Sequence, residues 1–296
     1  MSDKMRGTVE MTAAMVISGT IGLFVVLSGQ PVMDVVFWRC AFGAITLLIV
    51  CAALGLFRPE VMTRRQIAWA AAGGVAIVSN WILLFAAFPR ASISIATAIY
   101  NTQPFMLVAL GATLFGERLT LTKLSWLGIA FGGMLLIVQS KPDAGAVGTD
   151  YLSGILLALG AAFFYAIAAI ITKKLKGVPP HLIALIQVTV GILMLAPFAN
   201  FAALPVDAKT WTLLVAVGVV HTGVMYILLY GAIQKLPTNL VGALSFIYPV
   251  VAILADFLAF GHRLQPLQLL GAAAILIAAA GMTLGWTLVK RRVARA

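Results

Sequence analysis

The sequence predicts an all-α polytopic membrane protein whose ten transmembrane helices form two inverted five-helix repeats. Three observations lead there. Of its 296 residues, 62% are hydrophobic and 10% charged, with a mean hydropathy of +1.07. A soluble chain carries about 25% charge, so most of this one belongs in lipid. Apolar runs of the roughly 20 residues needed to cross a ~30 Å hydrocarbon core recur along its whole length. Finally, the segment 94–119 returns about 145 positions later as 239–264. A transmembrane barrel would show ~10-residue segments of alternating character instead.

Taken in order, the spans fall near 9–28, 34–56, 67–88, 92–115, 121–139, 150–172, 180–201, 210–232, 237–260 and 266–288. Gly29-Gln30-Pro31, Pro89-Arg90, Val178-Pro179-Pro180 and Leu236-Pro237 punctuate them as turn signals. The N-terminus sets Lys4 and Arg6 before an apolar run, as a signal peptide does. That run is too long and no Ala-x-Ala site follows, so it reads as a true span. Cys40 and Cys51 share the second span, ~16 Å apart along a helix, too far to pair. The longest loop, 141–150, divides the chain into repeats 1–145 and 146–296 of one membrane domain.

Orientation follows from the positive residues. With the N-terminus inside, fifteen Lys and Arg fall on inner segments, against Arg90, Lys141, Lys209 and Arg263 outside and Arg39 within a span. Both termini are expected in the cytoplasm, with the chain in the plasma membrane (the inner membrane of a bacterium). The net charge of +11 is spread thinly over loops, so no nucleic-acid partner is expected.

The repeat aligns Pro104 with Pro249, Gly116 with Gly261, Arg118 with Arg263 and Leu119 with Leu264; Tyr100 falls on Ser245 and Gln103 on Tyr248. Pro31, Arg39 and Gly43 match Pro179, Gln187 and Gly191 at a shift of about 148. Five spans per half is an odd number, so the second half runs upside down. Such repeats place a site near the midplane, opened to alternate sides by rocking. A helical proline strands the carbonyl four residues back, which hydrocarbon tolerates only where protein or a water-filled cavity takes it up. Pro104 and Pro249 therefore predict two kinked helices facing one cavity. Kinks that merely shape packing are the simpler alternative.

These features resemble the drug/metabolite transporter superfamily, in its ten-helix EamA-type branch. The resemblance rests on the repeat layout and on Gly116-Glu117-Arg118-Leu119 leading into a fifth span with Gly128, Gly132 and Gly133. It implies export of small metabolites, and within the branch the chain is similar to aromatic amino acid exporters. The second copy departs from the pattern, with His262 where Glu117 would predict a carboxylate. Glu117 is therefore read as structural, pairing locally with Arg118 or Lys123.

Charges inside a membrane cost ~2.5–3.5 kcal/mol each at a helix centre, and few are present. Arg39 and Asp256 lie near enough to an interface to snorkel or pair, and Glu10 is too shallow for a central site. The expected substrate-binding groups are neutral: Asn80, Trp81, Tyr100, Asn101, Gln103, His221, Tyr226, Ser245 and Tyr248. Under the repeat shift Trp81 matches Tyr226, and Phe85 matches Tyr230. Aromatic faces with uncharged hydrogen-bonding groups suit a neutral or zwitterionic small molecule. His221 also reads as a helix–helix hydrogen-bond partner. Trp69, Trp126, Trp211 and Trp286 read as interfacial anchors, and Gly128/Gly132 and Gly281/Gly285 as close-packing seams.

The expected function is a secondary exporter of large neutral or aromatic amino acids, or similar metabolites, working by alternating access. A multidrug or other metabolite exporter is the alternative. No carbonyl filter or charge ring marks a channel. No His-Glu-x-x-His or Gly-x-Ser-x-Gly marks an enzyme. No catalytic group, metal or cofactor is expected; the partners are a small-molecule substrate and membrane lipid, and the chain reads as a monomer.

Overall fold

The computed structural model describes residues 2–91, 96, 99–139, 151–201, 204–260 and 265–287, and among these it contains helices and turns but no strand. In order they are α1 (Asp3–Ser28), α2 (Val32–Ala53), α3 (Arg64–Ala91), α4 (Gln103–Phe115), α5 (Leu121–Gln139) and α6 (Tyr151–Lys174). Then follow α7 (Pro180–Leu195), α8 (Ala208–Lys235), α9 (Thr238–Ser245), α10 (Ile247–Phe260) and α11 (Pro266–Leu284). Seven single helices and the α9–α10 pair are long and apolar enough to cross a membrane, making eight such spans among the described residues. The other two, α4 and α5, are shorter apolar helices. The chain is a multi-pass membrane protein.

Four spans differ from the sequence reading. Pro89-Arg90 does not end α3, which continues to Ala91; Arg90 Nη1 donates to Ala86 O at 2.6 Å in the turn the proline disturbs. Within α8, residues Val219–Val224 form a π-helical turn, a widening often found at functional sites. The expected kinks are breaks. A turn at 101–102 precedes α4, and α9 stops at Phe246 before α10 begins. Pro104 and Pro249 each stand in the first turn after the break, where a missing N–H removes no helical bond. Span four was expected from 92; residues 92–95, 97 and 98 lie outside the described set.

Packing runs mainly between the two halves of the sequence. Helix α3 lies along α6 and α7, while α1 lies along α8 and α10. Helix α2 meets α7 and α8, α4 meets α6 and α9, and α5 meets α11. The shared core holds Met11, Leu47, Ile183, Ile233 and Phe246, all fully or almost fully buried, while Leu152, Leu193 and Leu258 remain exposed around the outside. In lipid such exposure costs little, and close packing supplies the attraction between helices.

The closest approach of α5 and α11 is at Gly133 and Gly271, where a Cβ on Gly133 would sit 2.6 Å from the Gly271 carbonyl oxygen. Of the expected seams, Gly281 packs tightly under the Trp126 ring, whereas Gly128, Gly132 and Gly285 meet nothing within 4 Å inside the chain. Trp126 is itself buried, its indole N–H donating to Trp286 O at 3.1 Å. Cys40 and Cys51 are both free thiols.

Candidate functional site

The helix breaks and the middles of α3, α6 and α8 converge on a group of aromatic rings. Trp81 of α3 meets Tyr226 of α8 edge to face at 6.1 Å, and Tyr226 meets Tyr230 one turn on at 5.1 Å. Tyr100, just before the first break, meets Tyr165 of α6 at 6.2 Å. Edge-to-face rings are the favourable arrangement for aromatic quadrupoles. Asn101 then joins the two broken helices, its Nδ2 donating to the Tyr248 hydroxyl at 2.9 Å.

The polar groups are mostly satisfied within this frame. Asn80 Nδ2 donates to Ala161 O at 2.8 Å, fastening α3 to α6. The Tyr230 hydroxyl donates to Gln187 Oε1. Between the rings, Ile77, Tyr165, Ala168, Ala169, Tyr226, Leu229, Tyr230 and Ile233 line a void of about 10 Å³. That is room for about one water. The helices have closed on this space.

The expected site residues separate into groups. Asn80, Trp81, Tyr100, Asn101, Tyr226 and Tyr248 come together. His221 sits in the π-helical turn, facing α1: its Nε2 lies 2.9 Å from Thr20 Oγ1 and its ring packs 4.8 Å from Phe24. Ser245 is buried with its hydroxyl donating back to Gly242 O at 2.7 Å, which leaves it within its own helix. Gln103 is buried in the first turn of α4, its Oε1 without a partner.

Four residues stand at the site that were not among the expected binding groups: Tyr165, Tyr230, Gln187 and Arg39. Tyr165 had a readable signal, since a tyrosine in mid-span is too deep for an interfacial anchor. Arg39 was expected to snorkel or pair near an interface. Instead it is 5% exposed, its Nε donates to Thr222 Oγ1 at 3.2 Å, and its Cζ lies 4.3 Å from the centroid of the Trp81 ring. Asp256 keeps its place in α10, but its side chain lies outside the described set.

On the side of the N-terminus the halves are tied together by charge. Glu117 does not pair with Arg118 or Lys123. Its Oε1 meets Lys173 Nζ at 2.7 Å and its Oε2 accepts from Thr238 N at 2.9 Å and Thr238 Oγ1 at 2.6 Å. Burial works to raise the Glu117 pKa, but the bonds from Lys173 and Thr238 outweigh it and hold the carboxyl below its usual value. Gly116, left-handed at φ +64, makes the turn that carries Glu117 back over the end of α4. A second tie joins Lys235 Nζ to Glu10 Oε2 at 2.6 Å. Among the described residues no group of three His, Cys, Asp or Glu side chains is placed to hold a metal ion.

Comparison with known proteins places this architecture. The model of the EamA-like transporter family matches twice, at residues 5–139 and 152–284. The chain is 32% identical to the uncharacterized transporter YxxF of Bacillus subtilis (strain 168), over 98% of its own length and 93% of the relative's. It is 27% identical to a probable terminal-alkyne amino-acid exporter of Streptantibioticus cattleyicolor, over 83% of its length and 82% of that protein's. It is 28% identical to the threonine/homoserine exporter RhtA of Escherichia coli (strain K12), over 71% and 69%. A solved crystal structure superposes with a TM-score of 0.81 at 20% identity, covering 94% of this chain and 96% of that one, which speaks to the fold alone.

Proposed function

The chain belongs to the EamA-like transporter family of the drug/metabolite superfamily, and from that premise we propose that it exports large neutral or aromatic amino acids by alternating access. The observation that carries this reading is the ring of Trp81, Tyr226, Tyr230, Tyr165 and Tyr100 between the halves, bordered by Asn80 and Asn101. Such faces bind an apolar side chain by stacking, and the amides orient a polar head. The named export substrates of RhtA and of the Streptantibioticus relative are amino acids, which favours this class over drugs.

The ten-span, two-repeat plan counts α4 and α5 as crossings. The packing supports it: exchanging the first five spans for the last five turns the α3–α6 contact into α8–α1, and α4–α6 into the contact of α1 with the broken ninth span. That is the contact pattern a two-fold between repeats 1–145 and 146–296 produces. The excess of Lys and Arg on the N-terminal side supports cytoplasmic termini in a plasma membrane. On that orientation, the Glu117 and Glu10 ties close the cytoplasmic mouth. Rocking the repeats breaks them and admits substrate from within.

The test is counterflow into proteoliposomes with labelled phenylalanine, leucine and threonine beside a panel of cationic drugs. Saturable uptake of the large neutral amino acids is expected. Flux of drugs alone would replace this reading with multidrug export.

A further inference from the structure

We propose that Arg39 is the anchor for the substrate's carboxylate, so that the site selects carboxylate-bearing amino acids over their amides and amines. The inference rests on the amino-acid reading above and deepens it. Arg39 is 5% exposed and stands about 10 Å along α2, at 1.5 Å per residue, rather than at its mouth. A guanidinium so placed needs an anionic partner or a dense set of acceptors.

The protein supplies little of either. Among the described residues no carboxylate forms an ion pair with Arg39. The acid nearest in sequence, Asp34, accepts from the backbone N–H of Asn200 at 2.8 Å instead. The titratable groups that feel the Arg39 charge are Cys40, His221, Tyr226 and Tyr230, none of them a carboxylate. Thr222 Oγ1 takes Nε at 3.2 Å. The Tyr226 hydroxyl also accepts from the guanidinium, a neutral partner that a carboxylate gripped through parallel hydrogen bonds can displace.

Position favours the same role. Trp81 holds the guanidinium over its ring at 4.3 Å, and Trp81 is the residue that faces Tyr226 at 6.1 Å. A carboxylate on Arg39 therefore lies against the aromatic group that would take the side chain. The repeat counterpart of Arg39 is Gln187, neutral and already bonded to the Tyr230 hydroxyl. The pseudo-symmetric site thus has one cationic end, which fixes the direction in which a zwitterion lies.

Counterflow of labelled phenylalanine in proteoliposomes of the full chain tests this, with phenylalaninamide and phenethylamine as competitors. The wild type is expected to prefer phenylalanine at least tenfold over both. Arg39→Gln should raise the phenylalanine KM at least tenfold and bring the acid-to-amide ratio near one, with Arg39→Lys between. A purely structural arginine would lower flux and leave that ratio untouched, and this result overturns the proposal. Should Arg39→Gln fail to fold, the wild-type competition still decides: amide and acid competing equally refute the carboxylate anchor while amino-acid export stands. No phenylalanine flux in the wild type removes both readings.

Discussion

Glu117 accepts two hydrogen bonds from Thr238, one from its backbone N–H at 2.9 Å and one from its hydroxyl at 2.6 Å, so the end of α4 is fastened to the start of α9. The same carboxylate holds Lys173 at 2.7 Å, and Lys173 Nζ also donates to Leu236 O at 2.8 Å. One acid thus gathers α4, α6 and the turn before α9. Glu117→Gln removes the charge but keeps the shape, and leaves Lys173 without its counter-ion. Losing charge-assisted bonds costs about 1–3 kcal/mol, enough to shift a two-state equilibrium about 5- to 150-fold. Faster maleimide labelling of a cysteine placed at Ala169, in a background lacking Cys40 and Cys51, is the expected result. Equal labelling of wild type and variant would show that this tie does not close the mouth.

Acid should act on the same tie. The folded pKa of Glu117 lies below the usual carboxylate value of 4.5, so its contribution is complete above that value and lost as pH falls through the depressed one. The difference in Tm between wild type and Glu117→Gln should hold from pH 7 down to about 4.5 and shrink only below it. A difference already gone at pH 6 would mean that burial, not Lys173 and Thr238, governs this carboxyl.

Trp81→Ala, Tyr100→Ala and Tyr226→Ala should each lower transport with expression near wild type and a Tm several degrees lower, since each truncates a ring packed in the core. Each removes an edge-to-face contact worth about 0.5–1.5 kcal/mol beyond the area it buries, together with a surface for the substrate. A loss of tenfold or more in kcat/KM is expected. Unchanged uptake kinetics in all three would remove the aromatic ring from the site.

The all-helical, multi-pass class and the neutral aromatic character were legible because both depend on local quantities, hydropathy and residue type. The long-range pairings were not. Glu117 was assigned to its neighbours Arg118 and Lys123 because a sequence shows only what is near along the chain, whereas Lys173 and Thr238 reach it through the packing of α4 against α6 and α9. Arg39 was given to the interface on its depth alone. Which face of α2 it occupies depends on α3 and α8, and those present Trp81 and Thr222. His221 was counted with the site because it shares a helix with Tyr226. The π-helical turn around it shifts the register of α8, and no residue at 219–224 announces that turn. The breaks before Pro104 and Pro249 were half visible: the prolines marked the places, but a kink and a break leave the same mark in sequence.

The breaks carry their own expectation. Gly19 of α1 lies so close to the second break that a Cβ there would come within 2.8 Å of the Tyr248 carbonyl oxygen. Pro249→Ala restores an N–H and permits α9 to run into α10, which would straighten the ninth span against α1. Turnover in counterflow should fall severalfold with little change in KM, because the hinge slows while the contacts to substrate remain. Wild-type turnover in both Pro249→Ala and Pro104→Ala would assign the prolines to packing.

A pair of glycines in one helix separates backbone contact from mere smallness. On α5, Gly133 faces the backbone of Gly271 on α11, with only 2.6 Å from a built Cβ to its carbonyl oxygen, whereas Gly128 has nothing within 4 Å. Gly133→Ala must push α11 away, and overpacking of this kind costs about 1–3 kcal/mol. Gly128→Ala instead adds a methyl group to the outer surface and gains helix propensity, up to about 1 kcal/mol. In detergent the first variant should lose several degrees of Tm and the second should match or exceed wild type. The opposite order would move the seam to Gly128 and Gly132, and would point to a second copy of the chain on that face.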